Sequence, residues 1–170
     1  EMHFVLFDNA TPLTVSNFME YVNSGAYSNN TFHRSVPGFV VQGGSFKRSA
    51  APNNFTSAPK FSPVVNEPGI SSIRGTIAMA KLPGDPNSAT NDFFVSIENN
   101  GHILDAQNGG FTVFGRVAGN GMAVADAIAA RPQGLGTEAL GRAEQEARAA
   151  GDQIVEQQVA SRKGRVGEFS

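Results

Sequence analysis

The feature that most constrains this chain is the punctuation between Phe32 and Val117. Short β-prone apolar runs recur there, each cut off within a few residues by Gly, Pro, Asn or Ser. They cover 39–42, 76–80, 93–97 and 111–114. Strands this short, separated by turn residues, favour an antiparallel barrel or sandwich over a parallel α/β sheet. A further run, Phe4-Val5-Leu6-Phe7, reads as a short buried strand. Thirteen Phe against two Tyr and no Trp, with 19 Gly, fit an aromatic core and tight turns.

Two helices frame these strands. Thr11 can cap, Pro12 suits the first helical position, and Val15, Phe18, Met19 and Val22 repeat as one apolar stripe. Gly25 supplies a left-handed exit. A second helix is expected over 121–130, with Met122, Ala125 and Ile128 on one face, stopped before Pro132. The stretch 48–63 has no clear period and reads as a long ordered loop. Beyond Pro132 the composition shifts toward charge. There Leu140, Ala143, Ala147, Ala150 and Ile154 recur at helical spacing, in a helix that Gly151 weakens by ~1 kcal/mol relative to Ala. The division expected is a domain over residues 1–132 and a charged, helical or flexible extension over 133–170.

Several chemistries find no support in the sequence. No Cys means no disulfide, no thiolate nucleophile and no Cys-ligated metal. His3, His33 and His102 are too scattered for a metal site, and no cofactor motif is present. The carboxylates Asp85, Asp92, Glu98 and Asp105 show no convergent pattern. A net charge of −2 gives no reason to expect nucleic acid as a partner. No apolar run approaches the ~20 residues of a membrane span, so no membrane insertion is expected. Glu1 is not a natural start, and a removed leader or trimming is expected. Cytoplasm and bacterial periplasm both stay open, with the periplasm favoured if a leader was removed.

Residues 32–44 read Phe-His-Arg-Ser-Val-Pro-Gly-Phe-Val-Val-Gln-Gly-Gly. Read alone, this is a turn–strand pair whose Arg34 points to water, as most arginines do. The segment closely resembles the hallmark of the cyclophilin family, in which Phe-His-Arg is followed by Pro-Gly-Phe, two residues and Gln-Gly-Gly. Gly75–Ala80 with Ser88–Phe94, and Leu104-Asp105 with Val113–Val117, resemble two further family blocks in the same order. The similarity runs from residue 4 to about 130, and the loop wording is like that of bacterial members.

The resemblance implies a closed eight-stranded antiparallel barrel capped by two α-helices, mainly β, with an extra C-terminal helix as the addition. It implies a peptidyl-prolyl cis-trans isomerase that needs no cofactor and no metal. Its partners would be proline-containing peptides and unfolded or folding proteins. Arg34 matches the catalytic arginine and Gln42 the groove glutamine. Phe39 and Phe94 match the floor of the proline pocket, joined by Val40, Leu104 and Phe111, while Ala80 matches a backbone-contact position.

Some positions depart from the pattern. Asp92 stands where most members have Gln, and Lys81 where Asn or Arg is usual. The two opposite charges are expected to pair across the groove, with the acid also competing for Arg34. Ile103 replaces an aromatic that contributes to cyclosporin binding in the family, so cyclosporin-type ligands are expected to bind weakly. A closing strand is not evident, and 164–169 is the only weak candidate. Two rivals remain: a peptide-binding module of the same fold with weak or no isomerase activity, and a β scaffold acting through its C-terminal helix.

Overall fold

The computed structural model describes residues 1–50 and 54–131. In chain order the elements are β1 (His3–Leu6), α1 (Pro12–Asn23), β2 (Asn30–Val36), β3 (Val40–Arg48), β4 (Phe55–Ser57), β5 (Thr76–Met79), β6 (Phe93–Ser96), α2 (Gly101–Leu104), β7 (Val113–Ala118) and α3 (Gly121–Ala129). Every pairing is antiparallel, in the order β1-β7-β5-β6-β3-β2, with β4 added along the far end of β3. The result is a mainly β fold with helices, as expected. Among the described residues β1 and β2 are not hydrogen-bonded to each other, so the seven strands do not close into the expected eight-stranded barrel. The candidate eighth strand and the expected C-terminal helix lie outside the described residues.

The central strands read as continuous apolar runs because both faces of the sheet are covered. Val41, Ile77, Met79, Val95 and Phe114 point to one face, where they form the main core with Val15 and Phe18 of α1 and Ala125 and Ala129 of α3. Phe18 lies 4.9 Å from Phe114 and meets Phe93 edge-on at 5.8 Å. Burying such a ring contributes about 1.5–3 kcal/mol. The alternate residues Val40, Ala78, Phe94 and Val113 face the other way into a second apolar cluster.

The stripe expected on α1 is rotated. Val15 and Phe18 are buried, but Val22 is 43% exposed, and the buried face is completed by Thr14, Asn17 and Tyr21. Each of these polar residues is satisfied from a distant loop. Asn17 Nδ2 donates to the Thr90 carbonyl at 2.9 Å, and the Tyr21 hydroxyl accepts the Phe61 N–H at 2.6 Å. The Tyr21 ring also stacks on Phe61, with centroids 4.4 Å apart.

Thr11 does not cap this helix through its side chain; its hydroxyl turns back to the Phe7 carbonyl at 3.4 Å. The Glu67 carboxylate takes over, accepting the N–H groups of Leu13 at 3.2 Å and Thr14 at 2.8 Å, and the Thr14 hydroxyl at 2.8 Å. An anion there satisfies otherwise unpaired N–H groups and complements the helix dipole. The loop expected over 48–63 contains β4, and the one-turn α2 was not expected.

Glu67→Ala is predicted to cost about 1–2 kcal/mol, as loss of a helix cap does. A shift of the urea unfolding midpoint checks this, and an unchanged midpoint would mean that water caps α1 equally well.

Candidate active site

The register of the sheet draws a line of side chains straight across it. Arg34 on β2 sits opposite Gln42 on β3, Gln42 opposite Phe94 on β6, Phe94 opposite Ala78 on β5, and Ala78 opposite Val113 on β7. Directly opposed residues in an antiparallel ladder share a face. The arginine, the amide and the aromatic are therefore on one side of the sheet, opposite the main core. Arg34 is half-buried, and its Nη1 donates to Gln42 Oε1 at 3.5 Å, a long contact.

Phe39 reaches this face through a turn. The Phe39 N–H donates to the Val36 carbonyl at 3.0 Å, closing a turn around Pro37 and Gly38. Gly38 takes φ +68°, the value a type II turn requires at its third residue. The Phe39 carbonyl then accepts the Ile97 N–H and the Asn100 Nδ2, each at 2.8 Å. The second apolar cluster gathers Phe39, Val40, Phe94, Leu104 and Phe111, all buried, with Ala80 and Ile103 packed against it. Phe94 and Phe111 meet edge-to-face at 5.6 Å.

A sequence model of the family described as cyclophilin type peptidyl-prolyl cis-trans isomerase/CLD matches residues 1–155. The chain belongs to the cyclophilin family. Among curated relatives it is 40% identical over 130 residues to peptidyl-prolyl cis-trans isomerase A of Dickeya dadantii, covering 75% of this chain and 65% of that protein. It is 39% identical over 128 residues to peptidyl-prolyl cis-trans isomerase B of Escherichia coli, covering 72% and 74%. The chain thus spans just under two thirds of the Dickeya protein. By structure it resembles a Cryptosporidium parvum cyclophilin crystallised in the presence of the dipeptide Ala-Pro, with TM-score 0.60 and 23% identity, over 79% of this chain and 82% of that one.

Two charged residues of this cyclophilin sit differently from expectation. Asp92 and Lys81 form no ion pair with each other. The Asp92 carboxylate lies on Ser45 of β3, whose hydroxyl is 2.6 Å from both carboxylate oxygens and can donate to one at a time. Lys81 instead donates to the carbonyls of Asn108 at 2.9 Å and Gly110 at 2.5 Å. Both side chains turn toward backbone and hydroxyl partners already present, so neither charge needs the other.

Asp92 is pinned by a polar seam that sequence reasoning did not pick out. The Asn30 amide exchanges two 2.8 Å hydrogen bonds with the backbone of Gly44, and Asn91 Nδ2 reaches the same Gly44 carbonyl at 3.1 Å. The Tyr27 hydroxyl donates to the Asn91 carbonyl at 2.8 Å. Gly44, with φ +116°, lies so close to this stretch that a Cβ would stand 2.8 Å from the Asp92 Cα. A Gly-Gly pair within β3 was the visible signal; its partner Asn91, 47 residues beyond Gly44, was not.

Burial raises the Asp92 carboxyl above its ordinary range, against the Ser45 hydrogen bond and Lys60, which lower it. A folded-state acid with a raised pKa holds its proton after the unfolded chain has lost it. Stability therefore falls as pH rises through the window between the two values, and the cost persists at neutral pH. Asp92→Asn is predicted to be more stable than the parent at pH 7, with the difference shrinking toward pH 4. Urea unfolding at both values checks this; a pH-independent difference would contradict it.

Proposed function

We propose that this chain is a peptidyl-prolyl cis-trans isomerase that accelerates rotation about Xaa-Pro bonds in protein substrates, carried by residues 1–132 with 133–170 as an extension. The observation that carries the reading is the shared face of Arg34, Gln42 and Phe94 beside the apolar cluster of Phe39, Val40, Leu104 and Phe111. The relatives named above as isomerases, and the relative crystallised with Ala-Pro, support it.

Amide resonance opposes rotation with a barrier of ~18–20 kcal/mol, and uncatalysed Xaa-Pro exchange takes tens to hundreds of seconds. In the planar ground state the nitrogen lone pair is delocalised and accepts poorly. In the twisted transition state it localises and becomes a hydrogen-bond acceptor. A guanidinium N–H of Arg34 aimed at that nitrogen stabilises the twisted form and hardly touches the planar one, which is differential binding. Low-dielectric apolar walls strengthen the interaction.

Gln42 holds the guanidinium toward the pocket. Phe39, Phe94, Leu104 and Phe111 immobilise the pyrrolidine ring, while Ala80 at the edge contacts the residue preceding proline. Ile103, aliphatic and half-buried, gives cyclosporin-type ligands a weak hold. The cellular use of such an activity is assistance to folding proteins.

Magnetisation-exchange NMR on a short Ala-Pro peptide tests the proposal. Wild type should broaden the cis and trans peaks at substoichiometric concentration. Arg34→Ala should keep the fold and lose roughly 100-fold or more of kcat/KM, the scale for removing a transition-state donor. Binding without exchange by the wild type would make this a peptide-binding module instead.

A further inference from the structure

Phe111 belongs to no strand or helix, although on the reading just given it forms one wall of the proline pocket. It follows a tight turn in which Asn108, Gly109 and Gly110 all have positive φ, at +50°, +75° and +74°. The carbonyls of Asn108 and Gly110 both accept from Lys81 Nζ, and the same ammonium stands 4.8 Å from the centroid of the Phe111 ring. Two of the three ammonium donors go to these carbonyls, and the Phe111 ring lies within cation–π range of the same charge.

Lys81 is only 3% exposed and takes part in no ion pair among the described residues. Burial draws its pKa down to about 8, against Asp85, which raises it. Its neighbour Ala80 lies at the edge of the apolar cluster, just past the end of β5. Asn66 also holds the turn, donating to the carbonyls of Gly109 at 3.1 Å and Gly110 at 3.0 Å. Of these two tethers, Lys81 is the one placed against both the turn and the ring.

We infer that Lys81 is a positioning residue, whose buried ammonium clamps the 108–110 turn and the Phe111 ring so that Phe111 stands edge-on to Phe94 and closes the proline pocket. The inference rests on the isomerase reading. It assigns Lys81 to pocket shape rather than to contact with substrate or with Asp92. Because pocket shape acts alike on the planar and twisted amide, the residue belongs to substrate affinity and not to the rotational barrier.

The experiment is a double-mutant cycle of Lys81→Met and Phe111→Leu, read by peptide exchange NMR with KM and kcat separated. Lys81→Met is expected to raise KM roughly tenfold, the scale of one charge-assisted hydrogen bond, with kcat within about twofold. Lys81→Arg, which keeps charge and donors, restores most of the loss. The double variant is expected to be no worse than Phe111→Leu alone, because Lys81 acts through that ring.

An unchanged KM, a loss confined to kcat, or fully multiplicative losses in the double variant would each overturn the inference. If Lys81→Met does not fold, Lys81→Gln takes its place in the cycle. If the wild type shows no exchange, the isomerase reading falls separately. The same variants are then titrated with the peptide and followed by amide shifts, where equal affinities overturn the clamp and tenfold weaker binding upholds it.

Discussion

The pairing of β3 with β6 on one side and with β2 on the other decides which side chains in this molecule meet. Its first half carries two adjacent rows across the sheet. One runs from Ser35 through Val41, Val95 and Ile77 to Gly115, and feeds the main core. The other runs from Arg34 through Gln42, Phe94 and Ala78 to Val113, and faces the opposite way. Since a slip of one residue would exchange the rows, the packing of Val41 and Val95 is also what keeps Arg34 on its own side. The register irregularities in β2 lie between Asn30 and Arg34, leaving regular pairing from Arg34 to Val36.

The loops around this sheet are fixed by side chains reaching backbone rather than by strand pairing. Glu67 caps α1, Asn17 holds Thr90, Asn91 and Asn30 converge on Gly44, Asn100 holds Phe39, and Lys81 holds the 108–110 turn. Buried polar groups are costly unless satisfied, so each such contact ties a loop to one position. Two apolar clusters on the two faces supply the favourable burial, and these polar contacts select the geometry.

How much of this was legible in the sequence follows from the range of the signal. Strands β3, β5, β6 and β7 announced themselves because apolar runs bounded by Gly, Pro and Asn are local. Helix α1 was found for the same reason, but its orientation was missed. Thr14, Asn17 and Tyr21 look like solvent residues until their partners Glu67, Thr90 and Phe61 are brought up against them. Spacing alone left Arg34 an ordinary arginine, and only likeness to a family singled it out. Lys81 and Asp92 were misjudged as a pair because opposite charge is visible in letters, whereas backbone carbonyls and a serine hydroxyl 47 residues away are not.

The chain contains two tyrosines and no tryptophan, and neither phenol is idle. Tyr21 is wholly buried with its oxygen engaged by Phe61, and Tyr27 donates to Asn91 in the seam that seats Asp92. Burial raises the pKa of both, that of Tyr27 far beyond the ordinary phenol range. Phenolate absorbance in alkali is therefore a readout of structural opening rather than of surface ionisation. The tyrosines make the molecule its own optical gauge, with one ring at the junction of α1 with a loop and the other packed against the main core, its hydroxyl on the Asn91 carbonyl.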